Sequence, residues 1–151
     1  MGKYFSFEEL TYSATAISKG IDNTPTSTEV KNNLLELIDV LDGIREGWTV
    51  LCEKNNWGTA SVIVNSGYRS DALNKAIGGS KTSAHSIGAA ADIEPKNQRN
   101  KEFYEYCKEY FEDKPFDQLI NEKPVKGIPS WIHIGLKNRN GEQRRMVFTI
   151  K

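Results

Sequence analysis

Two histidines, His85 and His133, and an aspartate shortly after the first, Asp92, are the side chains whose types could do chemistry together. Two imidazoles and a carboxylate form a ligand set for zinc, which in catalytic sites takes three protein ligands and keeps a fourth position for water. His85 and Asp92 lie in GGSKTSAHSIGAAADI, residues 78–93, whose glycines, lysine and hydroxyls also suggest a phosphate cradle or a plain tight turn. The phosphate cradle fails on spacing. A P-loop needs GxxxxGK[ST] after a strand, whereas Lys81 follows Ser80 and no glycine stands at the required distance upstream. Gly78 and Gly79 suit a turn with positive φ, but a turn alone leaves His85 and Asp92 without a role. Spacing by itself leaves both the metal site and the turn open, because short motif matches recur by chance.

Several elements must position these residues. FSFEELTYS reads as a short helix with Ser6 as its N-cap. After the turn-forming DNTPTS, Val30, Leu34, Leu37, Ile38, Leu41 and Ile44 recur at three- and four-residue steps. That predicts an amphipathic helix from about Ser27 to Glu46, with Thr26 and Glu29 at capping-box spacing. Ala60–Asn65 is rich in β-branched residues and ends at a serine–glycine turn, the pattern of a strand. Gly88 and the small residues around it disfavour a helix between His85 and Asp92. IGAAADIEP is therefore expected as a strand that carries Asp92 and stops at Pro95, with His85 delivered by the loop before it. Lys101 to Phe111 puts Phe103, Tyr106, Cys107, Tyr110 and Phe111 on one helical stripe. DQLIN, WIHIGL and RRMVFTI read as three further strands, the last two joined by a turn at NRNGEQ. The expected fold is α+β, with helices packed on one face of a small, largely antiparallel sheet.

Bulk properties exclude some partners. With 151 residues the chain is expected to be one domain, 1–151, with 38% hydrophobic and 26% charged residues. Its 20 basic and 20 acidic residues cancel, so no overall field favours a nucleic acid. No apolar run is long enough to span a bilayer, and MGKYFSFEELTYS has acidic residues where a signal peptide has its apolar segment. The expectation is a monomer without membrane insertion, made in the cytoplasm and acting elsewhere only if released by another route. Cys52 and Cys107 lie outside any CxxC and are expected to be reduced.

SGYRSDALNKAIGGSKTSAHSIGAAADI followed by WIHIG resembles the signature of the zinc D-Ala-D-Ala carboxypeptidase family. That family includes phage L-alanyl-D-glutamate endopeptidases and shares its fold with the hedgehog signalling domain. The family pattern SxHxxGxAxD is met at Ser83, His85, Gly88, Ala90 and Asp92, and WxH at Trp131 and His133. The likeness extends to FSFEELTYSATAISKGIDNTP near the start and to FDQLINE. It implies Zn2+ held by His85, Asp92 and His133, an activating arginine at Arg69, and hydrolysis of peptidoglycan stem peptides. Tyr68, Ser83 and Trp131 then fall at substrate-binding or supporting positions.

The general base is where the chain departs from many relatives, which have an acidic residue three positions before the final histidine. Here that position is Ser130, which cannot act as a base. Other relatives use a glutamate at the end of the preceding strand, matching Glu122 in QLINE. Pro124, Gly127 and Pro129 make KPVKGIPS a hairpin loop that would return Glu122 to the side of His133. Asp117 is the reserve candidate. The competing function class is a non-catalytic zinc module that binds the cell wall or a partner, and Ser130 is the residue that favours it.

Overall fold

Serine caps and apolar spacing decide where the helices start and which side they bury. The structure is a computed structural model that describes residues 2–151. In chain order it contains α1 (Phe7–Thr11), α2 (Ala14–Lys19), α3 (Thr28–Asn55), β1 (Val62–Ser66), α4 (Asp71–Ala76), a 3₁₀ turn (Ala84–Ile87), β2 (Ala90–Pro95), α5 (Asn100–Tyr110), β3 (Gln118–Glu122), β4 (Trp131–Gly135) and β5 (Met146–Ile150). The hydroxyls of Ser6, Ser13, Ser27 and Ser70 accept the N–H of Glu9, Ala16, Val30 and Leu73 at the starts of α1 to α4. Each such cap is worth about 1 kcal/mol over alanine.

The cap of α3 is Ser27, not Thr26, so the expected capping box is one residue out of register. The helix also runs past Glu46 to Asn55, because Trp48 and Cys52 continue the buried stripe from Ile44 at four-residue steps. Burying a large side chain gains about 1.5–3 kcal/mol, more than Thr49 and Val50 lose through their modest helix propensity. Helices α2 and α4 were not expected. They are too short to display a period, and their serine caps were the available signal.

The five strands form one mixed sheet in the order β1-β2-β4-β3-β5. The first three pairings are antiparallel and β3–β5 is parallel. The turn expected to join the last two strands is instead a crossover. Strand β4 already has β2 on one side and β3 on the other, so β5 takes the free side of β3.

Alternation along the strands separates core from site. Ala91, Ile93, Leu119, Ile132 and Ile134 share one face and join Leu34, Leu37, Leu41, Trp48 and Phe103 in the core beneath the helices. On the other face Asp92 stands opposite His133, His133 opposite Ile120, and Glu122 opposite Trp131. A one-residue slip of β2 or β4 would turn Asp92 or His133 into the core, so burial of the isoleucines fixes the site's register. Cys52 and Cys107 are both buried and unpaired, as expected, and burial pushes both thiols up.

Candidate metal centre

His85 is positioned by a capped turn, not by a strand or a long helix. Ser83 caps the 3₁₀ turn, its Oγ accepting the His85 N–H at 3.2 Å. Gly88 closes it at φ 75°; a Cβ there would also come within 2.9 Å of the Val30 carbonyl oxygen, so glycine is required twice over. Asn33 on α3 donates to the Ile87 carbonyl at 2.8 Å, tying the turn to the helix layer. The His85 ring is 2% exposed as part of its residue, and its Nδ1 lies 2.7 Å from the Gly67 carbonyl oxygen. A carbonyl only accepts, so Nδ1 carries the proton and Nε2 presents a lone pair, the arrangement that orients metal-binding histidines.

Nε2 of His85 lies 3.4 Å from one Asp92 oxygen, and Nδ1 of His133 lies 3.0 Å from the other. Burial would raise the Asp92 carboxyl, but its close contacts with the His133 and His85 rings hold it well below the usual carboxylate range. Burial lowers the His85 pKa against the pull of Asp92, which favours the neutral imidazole that a metal needs. One ligand atom from each of His85, Asp92 and His133 can be chosen so that all lie within 4.8 Å of one another. His133 Nε2 is buried and has no partner among the described residues. Convergent donors, a fixed tautomer and a charge-bearing carboxylate fit a zinc ion with three protein ligands.

Around these residues runs a cleft of about 1060 Å³, lined by Ile77–Ser80, Thr82–Ala84, residues 138–140 and Arg144. Arg69, Ser83, Glu122 and Trp131 all line it, together with the three candidate ligands. Arg69 donates from Nη2 to Ser83 Oγ at 3.3 Å, and its backbone N–H donates to the His85 carbonyl at 3.1 Å. Ser83 thus holds both the His85 turn and the arginine. Burial lowers the Arg69 pKa while Asp92 opposes it, and its Nε is buried without a partner among the described residues. Burial, and then the Asp92 charge, raises the Glu122 pKa against His133 and Lys123.

Tyr68 does not line the cleft. Its ring packs on the core and its backbone bonds Leu10 and Asn23, so it supports the turn. Asp117 faces the cleft but is not available as a base. It is 2% exposed, and both oxygens accept from the Arg144 guanidinium, at 2.8 and 2.9 Å. Those bonds hold its carboxyl below the usual range despite burial. Ser130 uses its hydroxyl to donate to the Lys123 carbonyl at 2.6 Å and its N–H to bond Glu122, closing the β3–β4 hairpin.

Three participants were not visible in the sequence as such. Gly67 stood inside the quoted SGYRS motif, but only the fold shows its carbonyl on His85. Arg144 and Arg139 line the cleft from the segment after β4, and nothing local links either to residues so far back in the chain. A family model described as Peptidase M15 matches residues 3–134, which leaves that segment outside the match. No match to this chain was found among curated proteins.

Proposed function

Because this chain belongs to the peptidase M15 family, a metallopeptidase family of the zinc D-Ala-D-Ala carboxypeptidase type, we propose that it hydrolyses peptidoglycan stem peptides at a bond involving a D-amino acid. The observation that carries the zinc assignment is the convergence of His85, Asp92 and His133 with the His85 tautomer set by Gly67. The cleft exceeds the roughly 300–1,000 Å³ of small-molecule sites. That size has room for a stem peptide. The resemblance to phage endopeptidases extends the reading to a phage or prophage lysin brought to the wall by another protein.

When bound, zinc supplies a water acidic enough to react near neutral pH and polarisation of the scissile carbonyl. The protein's own groups do the rest. Glu122 takes the proton of the attacking water and gives it to the leaving amine as the C–N bond breaks. Its raised pKa suits both halves of that task. Arg69, its Nε buried, directs its fork at the developing oxyanion or at a substrate carboxylate, to which it can make charge-assisted bonds. Trp131, opposite Glu122, offers an apolar wall beside the reacting groups.

The test is mass spectrometry of purified peptidoglycan digested with the protein, its Glu122→Gln form and a chelated sample. New stem-peptide fragments from the unmodified protein alone are expected. Glu122→Gln should keep its zinc and lose about 10²–10⁴-fold in turnover, the range of a general base. The second reading, a non-catalytic zinc module, draws on Ser130, and it wins if several wall types yield no fragments while zinc stays bound.

A further inference from the structure

Cations outnumber carboxylates along the cleft: Arg69, Lys123, Arg139 and Arg144 against Asp92, Asp117 and Glu122. Asp92 is held between His85 and His133, and Asp117 is matched by Arg144. Arg139 reaches outside the lining to Asp71, at 3.7 Å, which leaves Arg69 and Lys123 against Glu122 among the lining residues. Two of the four lining cations, Arg139 and Arg144, lie outside the family match.

Arg144 is the best organised of these cations. Its Nε, Nη2 and backbone N–H all bond the buried Asp117 carboxylate, at 2.8, 2.9 and 3.0 Å. This fixes the plane of the guanidinium, while 42% of the side chain stays exposed and Nη1 makes no hydrogen bond among the described residues. Anchoring of β5 does not need that guanidinium. The strand is held by its pairing with β3, and Arg145, at φ 56°, turns the opposite way to donate to the carbonyls of Phe111, Glu112 and Lys114. A rigid, half-exposed fork with free donors on a cleft wall suits a planar anion, since little side-chain freedom is lost on binding.

Resting on the peptidase reading, we propose that Arg144, oriented by Asp117, is a specificity residue that binds a free carboxylate of the substrate peptide away from the scissile bond. Arg139, whose one ion pair among the described residues is a 3.7 Å contact with the largely exposed Asp71, adds charge to the same cleft. The substrate class is thus an acidic peptide. Amidation of the recognised carboxyl would remove the recognition.

The test is calorimetric titration of the zinc-loaded Glu122→Gln protein with synthetic stem tetrapeptides. Two matched pairs are compared: free acid against amide at the D-glutamyl α-carboxyl, and free acid against amide at the C-terminus. Arg144→Gln alone would strand a buried carboxylate, so the comparison protein also carries Asp117→Asn, which replaces the ion pair by a neutral one. One pair should show about ten-fold weaker binding of the amide, the scale of one charge-assisted bond, and the difference should vanish with Arg144→Gln/Asp117→Asn. Equal binding within both pairs, preference that survives in the variant, or no binding of any peptide overturns the proposal. Discrimination in binding without cleavage by the unmodified protein would sink the peptidase reading and leave this one standing. Cleavage without discrimination does the reverse.

Discussion

Alanine at position 67 would place its methyl against the backbone of Leu10. The added carbon overlaps the Leu10 carbonyl oxygen and lies 2.9 Å from its carbonyl carbon and 3.0 Å from its Cα. That carbonyl has no room to retreat, because the Tyr68 N–H donates to it at 2.7 Å and Leu10 is wholly buried. The displacement therefore falls on the end of β1 and on the Gly67 carbonyl, the acceptor for His85 Nδ1. Overpacking of this kind costs about 1–3 kcal/mol, which at ~2 kcal/mol lowers the Tm of a chain this long by roughly 4–8 °C. Loss of the group that orients a ligating histidine weakens metal binding by about 10–100-fold. Thermal unfolding of the metal-free protein reads the first effect, and zinc competition against a chromophoric chelator reads the second. A Gly67→Ala protein that is destabilised but binds zinc as tightly as the original would refute the view that Gly67 sets the His85 tautomer for the metal.

His133→Ala should reduce zinc from one ion per chain to near none in native mass spectrometry, and an unchanged content would remove His133 from the ligand set. Ser130→Ala should cost about 0.5–1.5 kcal/mol for the lost bond to Lys123, measured by urea unfolding, and leave kcat/KM nearly unchanged. A loss approaching ~10²-fold, the lower end for a general base, would make Ser130 a participant in the chemistry. Asp117→Asn should lower Tm at neutral pH by roughly 2–4 °C, as ~1 kcal/mol does for a pair open to solvent on its arginine side. The Arg144 bonds depress the Asp117 pKa in the folded state, so the ionised form stabilises the fold above the unfolded value of about 3.9. That contribution is lost as pH falls through the lower folded value. The Tm gap between the two proteins should close in acid, and a gap constant from pH 7 down to about 2 contradicts the assignment.

Short-range patterns carried most of what was legible before the fold was seen. The apolar steps of Val30 to Ile44 and Phe103 to Phe111 named two core helices, and Ser6 was recognisable as a cap because its partner is three residues away. The candidate ligand trio and Arg69 were legible through the family resemblance, carried by SxHxxGxAxD and WxH for the trio and by SGYRS for the arginine. The KPVKGIPS hairpin was legible as the return expected to bring Glu122 beside His133; the fold sets Glu122 opposite Trp131 and Ile120 opposite His133. The choice between carboxylates was not legible. Glu122 and Asp117 both flank the same short strand, and only the fold commits Asp117 to Arg144, because that pair joins segments whose separation no local pattern encodes. The path of β5 was likewise decided by tertiary structure: which strand edge is free depends on every other pairing in the sheet. The same is true of Gly67, whose need for a missing side chain comes from the Leu10 backbone pressed against it.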